Sequence, residues 1–201
     1  DALPIFQHSA DSPNGQRVDE VSRQRNIMDA LLDNLSSGVF MVEAPSGKPL
    51  IANRMAKLIL GQGILPDANK GNLSEVYRAH KPQSPNPYPV NEMPIIQGML
   101  GVSSHVDDMI VERPDGSEVR LEVFGTPVRD EHGRVWASLV NFYDVTERSR
   151  RLDEVYYLSF HDHLTGLYNR RFFEEELKRL DTSRNWPLTL IMGDINSLKL
   201  V

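Results

Sequence analysis

The sequence predicts an α+β fold: an antiparallel five-stranded sheet with helices on one face, flanked by a helix at either end. Two observations carry this expectation. Five short apolar runs, at 38–43, 49–53, 106–113, 118–126 and 135–143, are bounded by Gly, Pro, Asn or Asp turn residues. Between the second and third runs the chain reads only as short helical pieces broken by glycines and prolines. A hairpin, a few short helices and a three-strand meander make one sheet with helices packed on one side.

Taken in order, residues 1–17 mix small, polar and Pro/Gly positions without periodicity and read as a flexible leader. Over 18–36, Val18, Val21, Arg25, Met28, Leu32 and Leu35 recur at alternating spacings of three and four, which predicts an N-terminal helix. That seam covers only about two and a half heptads, and Arg25 interrupts it. A dimer-forming helix and an amphipathic helix packed on its own domain both remain open. Gly38-Val39-Phe40-Met41-Val42-Glu43 and Pro49-Leu50-Ile51-Ala52-Asn53 read as a hairpin across Pro45-Ser46-Gly47-Lys48. Asn53 opens a helix over 54–60 that Gly61 and Gly63 end. Another turn or two of helix fits 73–80. Five prolines within 81–94 make that stretch a loop or lid, since fixed φ and missing N–H donors suit neither long helix nor central strand. A short helix over 92–100 stops at Gly101. Val119, Leu121 and Val123 then alternate with Arg120 and Glu122, the period of a half-buried strand. Turns at Pro114-Asp115-Gly116-Ser117 and Asp130-Glu131-His132-Gly133 complete the meander.

Composition narrows the function. Apolar content of 40% and charged content of 25% are those of an ordinary soluble globular protein. A net charge of -6, from 28 acidic and 22 basic residues, gives no reason to expect nucleic acid as a partner. The absence of cysteine excludes disulfides, thiolate metal sites and cysteine nucleophiles. No apolar run approaches the roughly 18 residues of a membrane span. These residues are therefore expected in the cytoplasm, as a piece of a parent that would reach a membrane only through upstream segments.

Two resemblances organise the chain. The 38–53 hairpin, the paired turns at Pro114-Asp115-Gly116 and Asp130-Glu131-His132-Gly133, and the closing Asp144-Val145-Thr146-Glu147-Arg148 together resemble a PAS domain. From Asp162 to Phe173 the chain reads D-x-L-T-G-L-x-N-R-R-x-F, and later Ile191-Met192-Gly193-Asp194-Ile195-Asn196. This resembles the opening of a GGDEF (diguanylate cyclase) domain. The implied organisation is a leader at 1–17, a helix at 18–36, a PAS sensor at 37–146, a linker helix at 147–160 and the start of a GGDEF domain at 161–201.

In the cyclase family the residue matching Asp194 is a carboxylate that holds Mg²⁺ on GTP, with the next backbone carbonyl, here Ile195. Hard divalent ions want such oxygen donors. Main-chain N–H groups around Ser197, Leu198 and Lys199 would hold phosphate. Alternation over 188–193 places Asp194 at the end of a buried strand, where α/β folds bind ligands and where an Asp also caps a following helix. Asn196 and Ser197-Leu198 depart from the commonest form of the motif, D-[IV]-D-x-[FH]-K, and match a subgroup with Asn. Asp162 and Thr165 are expected to fix the linker helix, with Asp162 capping a helix over 167–180. Asp144 and Thr146 are the hinge candidates, with Arg148, Arg150 and Arg151 as cations for Asp144. A PAS pocket is expected from Phe40, Phe124, Asn141 and Tyr143, a set that a one-residue slip would turn to the other face. His80 and His105 flank the helices where haem-binding relatives place an axial histidine, but neither falls within 92–100, the helix expected to supply it.

Two functions compete on these grounds. One is the sensory and regulatory part of a diguanylate cyclase, a homodimer whose parent joins two GTP molecules into cyclic di-GMP. The other is a non-catalytic PAS ligand-binding or dimerisation module with a degenerate nucleotide-binding domain. The sequence has no adjacent glycine pair, so the chain as given is expected to be catalytically inert.

Overall fold

The computed structural model describes residues 13–193. They fall into two compact units that divide after Glu147. In the first, helix α1 (Pro13–Asn34) leads into strands β1 (Gly38–Glu43) and β2 (Pro49–Ala52). Helices α2 (Arg54–Leu60) and α3 (Leu73–Val76), a two-residue strand β3 (Ala79–His80) and helix α4 (Pro94–Met99) follow. Strands β4 (Ser104–Glu112), β5 (Glu118–Arg129) and β6 (Val135–Asp144) close the sheet.

The sheet is antiparallel with order β2-β1-β6-β5-β4-β3. It has six strands where five were expected, and the addition is β3, within a stretch read as helix. After a single turn, Arg78 takes φ 47° and redirects the chain, so that Ala79 pairs with Val111 and His80 with Ile110. That partner lies about thirty residues further on, beyond the reach of a local pattern. β5 runs to Arg129, past Pro127. The β4 ladder on that side ends at Ser104 opposite Gly125, so the missing Pro127 N–H leaves no rung empty there.

Burial alternates along β5 and β6 and selects Val119, Leu121, Val123, Val140 and Phe142 for the inner face. These pack with Phe40 and Val42 of β1, Ala56, Ile59 and Leu60 of α2, Leu73 of α3 and Ile95, Ile96 and Met99 of α4 in one core. Helix α4 reaches the sheet because Gly125 has no side chain: a Cβ there would lie 2.6 Å from the Pro94 carbonyl carbon. The other face stays open, with Phe124 and Tyr143 exposed.

Helix α5 (Thr146–Phe160) begins just before the division; in the second unit residues 161–169 join it to α6 (Arg170–Leu180), and a 3-10 turn follows at Ser183–Asn185. No residue of α5 or α6 is buried. The strand expected over 188–193 is absent: those residues take no regular structure, and Ile191 and Met192 are exposed. A strand needs a ladder partner, and the described residues of this unit supply none. No helix among the described residues is long and apolar enough to cross a membrane.

Candidate functional site

The inner face of the sheet does not close completely on its helices. Phe40, Leu60, Leu73, Tyr77, Met93, Met109, Val123 and Phe142, among others, line a cavity of about 70 Å³. Its wall is apolar. The one hydroxyl among these side chains, on Tyr77, donates to the Gly63 carbonyl (3.2 Å) and accepts from the Leu65 N–H (3.3 Å). Burial raises the Tyr77 phenol above its ordinary value, so it stays neutral. The space is far below the ~300–1,000 Å³ of pockets for drug-sized ligands.

Of the four residues expected to line a pocket, Phe40 does so. Phe124, Asn141 and Tyr143 lie off the cavity wall, where Val123, Val140 and Phe142 stand instead. The side chains of a strand alternate, and Phe40 pairs with Val140, which fixes the inward register one residue away from the expected one. His105 stacks on Phe124 with centroids 4.3 Å apart, and neither His105 nor His80 lines the cavity.

The hinge candidates meet at the end of β6. Asp144 accepts the Thr146 N–H (2.9 Å), and the Thr146 hydroxyl accepts the Arg120 N–H (2.9 Å). The Val145 N–H donates to the Arg120 carbonyl (2.9 Å). Arg113, just beyond β4, stands 3.4 Å from the Asp144 carboxylate. Arg113 also donates to the Ile59 carbonyl (2.7 Å) near the end of α2. One guanidinium thus bridges the cavity-lining helix and the exit from the sheet. Sequence spacing did not offer Arg113, which the sheet brings to Asp144 from a distant position in the chain.

In the second unit Asp162 does not cap α6. Its carboxylate accepts the Leu164 and Thr165 N–H groups (3.2 and 3.0 Å) and the Thr165 hydroxyl (2.9 Å), closing a turn on itself. These bonds, the Thr165 N–H first, hold the carboxyl below the usual carboxylate range. The cap is Asn169, whose Oδ1 accepts the Phe172 N–H (3.1 Å) while its amide donates to the Ser159 carbonyl (2.9 Å). Tyr157, His161, Tyr168 and Phe172 stack in series, at 4.0, 4.4 and 3.7 Å between centroids, across the same joint. Asp194, Ile195, Ser197, Leu198 and Lys199 lie outside the described residues.

Sequence reasoning passed over Arg113 and Tyr88, and read Asn53 only as the start of a helix. Arg113 carried no local signal. Asn53 did, standing ahead of an apolar helical run: its Oδ1 accepts from Val39 and Ala56, and its amide donates to Leu32 and Ser37. Tyr88 was visible only as the lone aromatic of a proline-rich stretch, and its ring is fully buried.

The first unit is thus an antiparallel sheet with helices on one face and a small apolar cavity beneath them. Residues 36–147 match the family described as PAS domain, and the chain belongs to that family. Residues 159–201 match the description "Diguanylate cyclase, GGDEF domain". A comparison with curated proteins found no match. Among solved structures, the PAS domain of an HTR-like protein from Haloarcula marismortui is 15% identical, covering 65% of this chain and 98% of that one, with a TM-score of 0.47. The PAS domain of nitrogen regulation protein NR(II) from Vibrio parahaemolyticus is 20% identical, covering 59% and 97%, with a TM-score of 0.42. The PAS domain from Bordetella pertussis BvgS is 16% identical, covering 69% and 97%, with a TM-score of 0.43. The family assignment rests on the sequence match.

Proposed function

We propose that this chain is the sensing and coupling part of a diguanylate cyclase, in which the state of the PAS cavity sets the geometry of a cyclase pair. The observation that carries this reading is the order of parts: a PAS match at 36–147, helix α5 from Thr146 to Phe160 and a GGDEF match at 159–201. Cyclisation joins two nucleotides. The 3′-hydroxyl of each GTP attacks the α-phosphate of the other, and two pyrophosphates leave. Two protomers must therefore present one nucleotide each, and the angle between them is a natural control variable. Helix α1 leaves Val21, Met28 and Leu31 exposed, apolar surface suited to a homodimer.

Asp194 and the Ile195 carbonyl offer the hard oxygen donors that Mg²⁺ prefers. The ion would supply charge neutralisation on the GTP phosphates, and Ser197, Leu198 and Lys199 would meet phosphate through their N–H groups. The signal would leave the sensor through Asp144 and Thr146 and enter the cyclase through the joint at Asp162, Thr165 and Asn169. The Asp144–Arg113–Ile59 bridge supports that route.

The test compares this chain with a longer form that completes the GGDEF domain, each given GTP and Mg²⁺. The present chain is expected to make no cyclic di-GMP. The longer form makes it, and Asp194→Asn abolishes synthesis while the fold and the dimer persist. A longer form that binds GTP without turnover would favour the non-catalytic module, and normal turnover in Asp194→Asn would remove Asp194 from the metal site.

A further inference from the structure

We infer that residues 81–92 form a gate over the apolar cavity, latched by Tyr88, Asp108, Lys81 and Glu92. This inference rests on the reading that the cavity takes a ligand. The gate's flanks are themselves cavity wall: Tyr77 and Ala79 line it just before the segment, and Met93, Pro94 and Ile95 just after. Moving the segment must therefore move the wall.

The segment's backbone has few donors to offer. Pro82, Pro85, Pro87 and Pro89 remove four donors. Its ties to neighbouring elements include the Tyr88 N–H to the Ala79 carbonyl (2.7 Å), a single bridge between His80 and Pro87, and the Gln97 side-chain amide donating to the Asn91 carbonyl. Side chains do the rest. The Tyr88 ring is 1% exposed, and its hydroxyl donates to the Asp108 carboxylate at 2.6 Å. Asp108 is in position because β4 shifts register between Val106 and Met109. Lys81 donates to Glu92 at 2.6 Å, lies 3.7 Å from Asp108 and sits 5.4 Å from the Tyr88 ring centroid. Lys81 and Glu92 tie the two ends of the segment together, while Tyr88 ties its middle to the sheet.

The latch suits a reversible gate. Burial first, then Asp108, pushes the Tyr88 phenol above its ordinary value, so it remains a neutral donor. One ammonium faces the Glu92 and Asp108 carboxylates, and all three side chains keep contact with water. Such a cluster can open without stranding a buried charge. A small cavity with an apolar wall gains selectivity for small apolar molecules from that wall, and its exchange rate from the gate.

Xenon is the probe, since small apolar protein cavities take it up. Its binding to the full chain is followed by NMR on the methyl groups of Met109 and Val123, with amide hydrogen exchange at Tyr88 measured in parallel. In Tyr88→Phe, xenon entry and exit should both accelerate about tenfold, the equivalent of losing ~1.4 kcal/mol from the closed state. The dissociation constant should stay within about twofold, and Tyr88 amide exchange should accelerate alongside. Lys81→Gln, at a side chain that leaves the core untouched, should act in the same direction by a smaller factor. Xenon binding with unchanged rates in both variants overturns the gate and leaves the cavity reading standing. Failure of xenon to bind in any form sinks the cavity reading; Tyr88 amide exchange then decides the latch, and an unchanged rate overturns it.

Discussion

Asn53 and Asn169 perform the same task in the two units. Each caps a helix with its side-chain oxygen, α2 or α6, and each uses its amide to hold a carbonyl of the preceding helix, Leu32 of α1 or Ser159 of α5. Their surroundings differ. Asn53 is 4% exposed at the edge of a packed core, whereas Asn169 is half-buried in a unit whose helices bury no residue. The comparison separates local chemistry, which both share, from desolvation, which only one experiences.

The largest test asks how far the first unit depends on its core. Phe142→Ala deletes a ring that is 3% exposed and already borders a cavity, and should cost ~3–5 kcal/mol. Trp136 reports the first unit and Trp186 the second, so urea melts of the two single-tryptophan forms read them apart. Only the Trp136 transition should move. If both move together, the units unfold as one.

Next, Asn53→Ala leaves the Val39 and Ala56 donors and the Leu32 and Ser37 acceptors short of a partner. It should destabilise the first unit by about 2–4 kcal/mol. Asn169→Ala should cost about 1 kcal/mol, seen as reduced helicity of α6. Equal costs would erase the distinction drawn from burial.

A double-mutant cycle on Arg113→Gln and Asp144→Asn should return a coupling of about 0.5 kcal/mol, since both side chains touch water. In a cyclase-complete form the same pair should alter regulation more than stability.

The smallest effect is one of pH. Asp162 is held below the usual carboxylate range, chiefly by the Thr165 N–H. A depressed folded pKa contributes stability above the unfolded value, about 4, and that contribution disappears as pH falls through the folded value. The Thr165 amide resonance should therefore be steady from pH 7 to about 5 and shift below about 4. Asp162→Asn should remove that dependence; an unchanged profile would place the titration elsewhere.

Much of this was legible because it is short-range. Strand alternation in Val119, Leu121 and Val123, the turn residues at Asp115 and Asp130, and the D-x-L-T stretch all act over a few positions, and a sequence displays such spacings directly. The α+β class and the order sensor–helix–GGDEF follow from them, whereas Asp162, expected to cap the next helix, closes a turn with Thr165 instead. What tertiary structure decided spans long separations. β3 exists because β4 offers a ladder edge; the inward set became Val123, Val140 and Phe142 because Phe40 pairs with Val140. Arg113 reaches Asp144, and Tyr88 reaches Asp108, across long separations in the chain. In each case the partner is brought near by the sheet rather than by the chain, and closing so long a loop has an entropic cost that only the assembled core offsets.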